Sequence, residues 1–116
     1  MNYDLVIHVN RLEAEGLRYA LGYVEHSLAE QPDRECHIVI LSNGPAVQFF
    51  RRDNSEFAEK IHLLLQNKGV SVRLCRHALQ TNEIEDSEVV NGCSIVPIGI
   101  VELVNLQQTG YAYVKP

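Results

Sequence analysis

The stretch VSVRLCRHALQ, residues Val70–Gln80, marks a point where a strand passes directly into a helix. Apolar and polar residues alternate at its start, in the period of two that is typical of a β-strand. The strand is predicted to end at Cys75, followed by Arg76, His77 and the helix-compatible ALQ. A thiol at this junction can lie near backbone N–H groups and the positive end of a helix, and the two basic neighbours add to the positive electrostatic potential there. This environment is compatible with a stabilised thiolate at Cys75, although this stretch taken alone favours a small apolar residue that fills a strand end.

Length and composition indicate a single globular domain over residues 1–116. The chain has 46% hydrophobic and 22% charged residues, which is ordinary for a soluble protein with one core. Its net charge is −5 and it has no basic run, so no nucleic-acid partner is expected. It also lacks a basic signal-peptide start and an apolar run of membrane-spanning length, so we expect a cytoplasmic protein without a membrane partner. Three cysteines without framework spacing fit a reducing compartment.

Hydrophobic periodicity predicts strands and helices in alternation. The predicted strands are Tyr3–Val9, Cys36–Leu41, Val70–Cys75, Cys93–Ile98 and Tyr111–Val114. Helical patterns separate them, and the last of these covers Ile100–Thr109. The order βαβαβ(α)βαβ predicts an α/β fold, a mostly parallel sheet with helices on both faces.

Polar residues and glycines suggest where the helices begin and end. Asn10 with Glu13 three residues later is typical of a capping box for the first helix. Asp53 with Glu56 is predicted to cap the second, and Gly69 to end it in the left-handed conformation.

Three segments carry further expectations. His8 lies inside the first predicted strand, and we expect a hydrogen-bonded structural histidine. Thr81–Gly92 is acidic with few apolar residues, which predicts a loop with a helical turn and suggests a flexible cover over a crevice. The helix Ile100–Thr109 is apolar on nearly every side, more than one sheet face requires, so we expect a homo-oligomer, and a trimer first of all.

In parallel sheets the functional crevice lies outside the carboxyl ends of the strands. Four turns are predicted to meet there, and they contribute Asn10, Asn43, Gly44, Cys75, Arg76, His77 and Gly99. Backbone N–H groups after Asn43 and Gly99 are candidates for binding an anion. The chain has no GxGxxG or Walker sequence, so no nucleotide cofactor is expected.

Within one subunit, no second cysteine is expected to form a disulfide with Cys75. Cys36 and Cys93 open their predicted strands and so lie at the opposite edge of the sheet. A strand of this length spans roughly 17–20 Å, whereas a disulfide needs Cα atoms within about 7 Å. Cys75 and His77 alone supply too few ligands for a metal site, and none is expected.

The chain resembles the DsrE/DsrF-like family, which includes sulfur-oxidation and tRNA-thiolation relay subunits. The resemblance lies in the opening strand, in SNGPAV (Ser42–Val47), in FAEKIHLLLQNKGVSVRLC (Phe57–Cys75) and above all in VPIGIVELVNLQQTGYAYVKP (Val96–Pro116). It implies a three-layer α/β/α fold with a five-stranded, largely parallel sheet and assembly into trimers or hexamers. Relay members carry persulfide sulfur on a cysteine after the third strand, and Cys75 matches it. The chain resembles the short stand-alone branch more than the dedicated relay subunits.

Three functional hypotheses follow. The leading one is a sulfur-handling protein that accepts sulfane sulfur as a persulfide on Cys75 and passes it on, with donor and acceptor proteins as possible partners. Arg76 and His77 would favour its thiolate. The second is a non-catalytic module that binds a small ligand or anion in the same crevice, and the third a structural subunit of an oligomer in which Cys75 is packing. Enzyme activity as a sulfurtransferase is therefore left open.

Overall fold

The computed structural model describes residues 2–116 and alternates strands with helices. The strands are β1 (Tyr3–Val9), β2 (Cys36–Ser42), β3 (Val70–Cys75), β4 (Ser94–Val96) and β5 (Ala112–Val114). The helices are α1 (Ala14–Glu30), α2 (Ala58–Leu64), α3 (Arg76–Thr81) and α4 (Gly99–Gln108), with short 3-10 helices at Gly44–Phe50 and Asp86–Glu88. None of the helices in this part of the chain has the length and apolar character needed to cross a membrane.

The five strands form one sheet in the order β4-β3-β2-β1-β5, and every neighbouring pair is parallel. The predicted α/β class with a five-stranded sheet is therefore confirmed. The chain steps outward from β1 to β4 and then returns, so that β5 pairs with the free side of β1. All strands consequently end at the same edge, here called the carboxyl edge, and start at the amino edge.

The two faces of the sheet are covered unequally. Helices α1, α2, α3 and the 3-10 helix Gly44–Phe50 cover one face and bury the larger core, with Leu17, Phe50 and Phe57 among its fully buried side chains. Among the helices of residues 2–116, only α4 packs on the other face, where Leu103 and Leu106 contact a small cluster of strand residues. The outer side of α4 stays apolar and about half exposed, at Ile100, Val101 and Val104.

The predicted capping box at Asn10 is wrong. Helix α1 begins at Ala14, and Glu13 precedes it in an extended conformation without a side-chain cap. The Asn10 side-chain oxygen instead accepts a hydrogen bond from the Lys115 ammonium group. A contact with the end of the chain has therefore replaced the local cap.

The predicted cap at Asp53 is also wrong, because α2 begins at Ala58 and has no side-chain cap. The Asn54 side-chain oxygen accepts hydrogen bonds from the backbone N–H groups of Glu56 and Phe57, both at 3.1 Å. Asp53 forms an ion pair with Arg51 instead. Asn54 therefore holds the turn that leads into α2, which Asp53 was predicted to do.

The role predicted for Gly69 is also wrong. Helix α2 ends at Leu64, and Gly69 does not have a positive φ. A Cβ atom at Gly69 would lie 1.9 Å from the carbonyl oxygen of Cys36. Glycine is required here because β2 and the chain entering β3 approach too closely for any side chain.

Strand β4 is shorter than predicted and spans only Ser94–Val96. Cys93 precedes it and donates its backbone N–H to the carbonyl of Val90 at 3.2 Å. The strand ends before Pro97, as expected from a residue that has no N–H to donate to a neighbouring strand.

The acidic segment Thr81–Gly92 is better anchored than predicted. Ile84, Val89 and Val90 are buried in the larger core. The backbone N–H of Val90 donates to the carbonyl of Phe50 at 2.8 Å. The expectation of sparse apolar anchors is therefore wrong, because three apolar side chains spaced among the acids are enough to attach the segment.

Candidate functional site

A crevice of about 500 Å³ opens at the carboxyl edge of the sheet. It lies where β2 and β3 end and α4 begins. Five of the seven predicted site residues line it: Asn43, Gly44, Cys75, His77 and Gly99. Apolar side chains form much of the rest of its wall: Pro45, Ala78, Ile98 and Ile100. Only Thr81 and Asn82 of the acidic segment contribute to the lining.

Cys75 is the last residue of β3, and α3 starts at the next residue. Its side chain is 5% exposed and free of disulfide bonding. A Cβ atom at Gly99 would lie 3.1 Å from the Cβ of Cys75 and 3.7 Å from its sulfur. The first residue of α4 therefore sits directly against the thiol, and its missing side chain leaves space beside the sulfur.

The turn after β2 approaches the crevice through Asn43 and Gly44. Gly44 has a φ of +60°, in the left-handed region that favours glycine. A Cβ atom there would lie 3.1 Å from the carbonyl oxygen of Asn10. Asn10 thus supports this turn with its backbone, while its side chain lines a separate small cavity that also includes Lys115.

The two basic residues after Cys75 have different surroundings. The Arg76 guanidinium donates two hydrogen bonds to the Asp86 carboxylate, both at 3.0 Å, and Arg76 lines another cavity beside α3. Its positive charge is therefore paired with a carboxylate. His77 lines the crevice. Of the two, His77 alone is placed among the residues around Cys75.

His8 connects β1 to the crevice, a link that the sequence reading missed. It is 7% exposed, its Nδ1 lies 2.8 Å from the Tyr113 hydroxyl, and its Nε2 lies 2.9 Å from Asn43 Oδ1. The predicted hydrogen-bonded structural histidine is thus confirmed. Burial lowers the pKa of His8 below its ordinary value, partly opposed by the hydrogen bond to Asn43. Its position one residue from the end of β1 was the available signal.

Of the other two cysteines, Cys36 lies at the amino edge as predicted, whereas Cys93 does not, because it directly precedes Ser94, which pairs with Arg73 in the middle of β3. Cys36 opens β2, and its thiol lies 3.6 Å from the carbonyl oxygen of Arg34. Cys93 lies just before β4, where burial raises the pKa of its thiol to about 12. Within residues 2–116, no group of three or more His, Cys, Asp or Glu side chains is arranged to hold a metal ion.

The chain shares its fold with several solved structures. Protein MTH1491 of unknown function from Methanobacterium thermoautotrophicum is 23% identical, with a TM-score of 0.90 over 99% of this chain and 100% of that one. The ychN protein from E. coli is 18% identical, with a TM-score of 0.77 over 100% of both chains. Protein BT1422 of unknown function from Bacteroides thetaiotaomicron is 18% identical, with a TM-score of 0.71 over 98% of this chain and 95% of that one.

Family assignment comes from the sequence itself. None of the curated proteins matches the chain. A family model matches residues 7–116, from the middle of β1 to the last residue. That match includes the turn after β2, the strand that ends at Cys75 and the start of α4. The chain therefore belongs to the DsrE/DsrF-like family.

Proposed function

We propose that the protein accepts sulfane sulfur on Cys75 as a persulfide and passes it to an acceptor. The observation that carries the proposal is the position of the Cys75 thiol at the junction of β3 and α3, beside the side-chain-free start of α4 and within a crevice. Family membership supports it, since the family includes sulfur-relay subunits. A reducing compartment such as the cytoplasm would keep this thiol free.

The proposed reaction is a transfer of a neutral sulfur atom between thiolates. The Cys75 thiolate attacks the outer sulfur of a donor persulfide, a new S–S bond forms, and the bond to the donor's inner sulfur breaks. The donor leaves as a thiolate with the electron pair of that bond, so no external oxidant or reductant is needed. Attack by an acceptor thiolate on the outer sulfur of Cys75 restores the starting state. His77 lines the same crevice and is the basic side chain among its lining residues.

Ligand binding without catalysis is the second proposal. Two observations favour it: the Cys75 side chain is only 5% exposed, and much of the crevice wall is apolar. Under this proposal a small ligand or an anion occupies the crevice, and the cysteine contributes packing.

We further propose that the protein assembles with copies of itself, as a trimer or a hexamer. The half-exposed apolar side chains of Ile100, Val101 and Val104 lie together on the outer side of α4 and support this proposal. Burial of such a patch stabilises association by about 25 cal/mol per Å² of apolar surface. We expect light scattering at micromolar concentration to give a multiple of 13.1 kDa, and a stable monomer would contradict the assembly.

Sulfur loading tests the leading proposal directly. The native protein is incubated with a persulfide donor, and its mass is measured before and after treatment with a reductant. We expect a gain of one sulfur that the reductant reverses, and loss of this gain in Cys75→Ser. Cys36→Ser and Cys93→Ser are the matched controls and should load normally. Normal loading of Cys75→Ser would contradict the sulfur-carrier function and favour the ligand-binding one.

A further inference from the structure

We propose that His8 and Tyr113 are positioning residues, which hold the Asn43 amide so that its nitrogen binds an oxyanionic sulfur donor beside Cys75. The inference deepens the proposed function and rests on it for the identity of the reaction. It assigns a task to two residues of β1 and β5 that do not themselves line the crevice.

The positioning depends on a chain of two hydrogen bonds. Asn43 Oδ1 can only accept, so the contact of 2.9 Å with His8 Nε2 requires that this nitrogen carries the proton. In a neutral imidazole the other nitrogen then accepts, and the Tyr113 hydroxyl donates to His8 Nδ1 at 2.8 Å. The buried histidine is therefore fixed at both nitrogens, and it fixes the oxygen side of the Asn43 amide.

The nitrogen of the same amide is left free. Among residues 2–116, no group accepts a hydrogen bond from Asn43 Nδ2. This nitrogen is not buried, so a ligand can reach it. Asn43 lines the crevice together with Cys75. A Cβ atom at Gly99 would lie 3.1 Å from the Cβ of each, so Asn43 and Cys75 flank the same bare glycine.

This arrangement matches one class of sulfur donor, the thiosulfonates. Their sulfonyl oxygens accept hydrogen bonds from an amide N–H, and their organic group can pack on apolar side chains such as Pro45, Ile98 and Ile100. The Cys75 thiolate attacks the terminal sulfur of the thiosulfonate anion and forms an S–S bond. The bond between the two donor sulfurs breaks, and the sulfinate leaves with its electron pair. Charge and oxidation state balance without a further reactant.

The experiment compares reagents that differ in oxygen or charge. Sulfur loading of Cys75 is measured by mass spectrometry with benzenethiosulfonate and with inorganic polysulfide, which has no oxygen. Alkylation of Cys75 is measured with iodoacetate and with uncharged iodoacetamide. The variants are Asn43→Leu, His8→Leu, His8→Gln and Tyr113→Phe, and the matched control is His37→Leu. His37 lies near the start of β2 and hydrogen-bonds Asp4, away from the crevice.

We expect Asn43→Leu and His8→Leu to lower the benzenethiosulfonate-to-polysulfide rate ratio about 10-fold, because a hydrogen bond to a charged group is lost or misdirected. The iodoacetate-to-iodoacetamide ratio should fall in the same direction. His8→Gln should retain most of both ratios, because glutamine still offers an N–H. Tyr113→Phe keeps the ring of a 39% exposed side chain and should lower the ratios about threefold. His37→Leu should leave them unchanged.

If a variant reacts more slowly by the same factor with both reagents of a pair, the inference is overturned. Such a result would indicate that Cys75 has become less accessible, and not that recognition of the anionic reagent is lost. Unchanged ratios in His8→Leu would overturn the positioning role of the histidine. If no donor loads Cys75, the proposed function fails, and the alkylation ratios still decide whether the Asn43 amide binds anions. A Cys75 that no reagent reaches in the native protein contradicts both.

Discussion

Cys75 lies at the carboxyl edge of the sheet, whereas Cys36 lies at the amino edge and Cys93 precedes Ser94, which pairs with Arg73 in the middle of β3. At the carboxyl edge the thiol is next to the starts of α3 and α4 and opens toward a crevice. Away from this edge, burial raises the pKa of the Cys93 thiol to about 12, and the Cys36 thiol lies near a carbonyl oxygen. The same side chain therefore lies beside two helix starts at the carboxyl edge and near carbonyl groups or in apolar packing elsewhere, because all five strands run in one direction.

Glycines at the two edges differ in a similar way. Gly69, beside the start of β2, is required because backbone atoms of Cys36 occupy the place of its side chain. Gly99 faces side-chain atoms of Asn43 and Cys75, and its absent Cβ leaves space beside the thiol. One glycine permits strand packing, and the other keeps the candidate site open.

Thiol labelling should show the largest difference between the cysteines. We expect iodoacetamide at pH 8 to label Cys75 first and Cys93 last. A thiol with a pKa of about 12 is ionised in about one molecule in ten thousand at that pH, roughly 1000-fold less than an ordinary thiol. Raising the pH should therefore accelerate the labelling of Cys93 through the whole accessible range. Variants that each retain one cysteine give the rates separately. If Cys75 is labelled only after denaturation, the expected difference in labelling rate between Cys75 and the other two cysteines is absent. That result would contradict the expected reactivity of Cys75.

Substitution of the glycines should give the next largest effect. Gly69→Ala places a Cβ atom 1.9 Å from a backbone oxygen, so we expect the free energy of unfolding to fall by about 3 kcal/mol. Gly99→Ala meets its neighbours at 3.1 Å and should lower it by only about 1 kcal/mol, while slowing the labelling of Cys75. Gly22→Ala, in the interior of α1 with no atom within 4 Å, is the control and should gain about 0.5–1 kcal/mol. Urea unfolding measures all three, and equal losses at Gly69 and Gly99 would contradict the comparison.

Much of the fold was predictable from the sequence because it depends on local periodicity. The bounds of β1 and β3 follow from the pattern of apolar residues. Parallel pairing followed from the alternation of strands and helices. Since parallel strands all end at one edge, the sequence also brought Asn43, Cys75 and Gly99 to the same crevice.

The errors arise where a distant part of the chain replaced a local partner. Asn10 binds Lys115 rather than the start of α1, and Arg76 binds Asp86 rather than facing the crevice. The left-handed conformation expected of Gly69 is absent, because contact with Cys36 explains that glycine instead. Such partners depend on which segments the sheet brings together, so spacing along the sequence does not reveal them.

By itself, the sequence determined the order of elements, the direction of the strands and the edge at which Cys75 lies. Tertiary structure alone decided that His8, Tyr113 and Asn43 form one hydrogen-bonded chain, since these residues come from β1, β5 and the turn after β2, respectively. Hydrophobic periodicity can be recognised among residues close together in the sequence. These two side-chain hydrogen bonds instead join residues that are 35 and 105 positions apart in the chain.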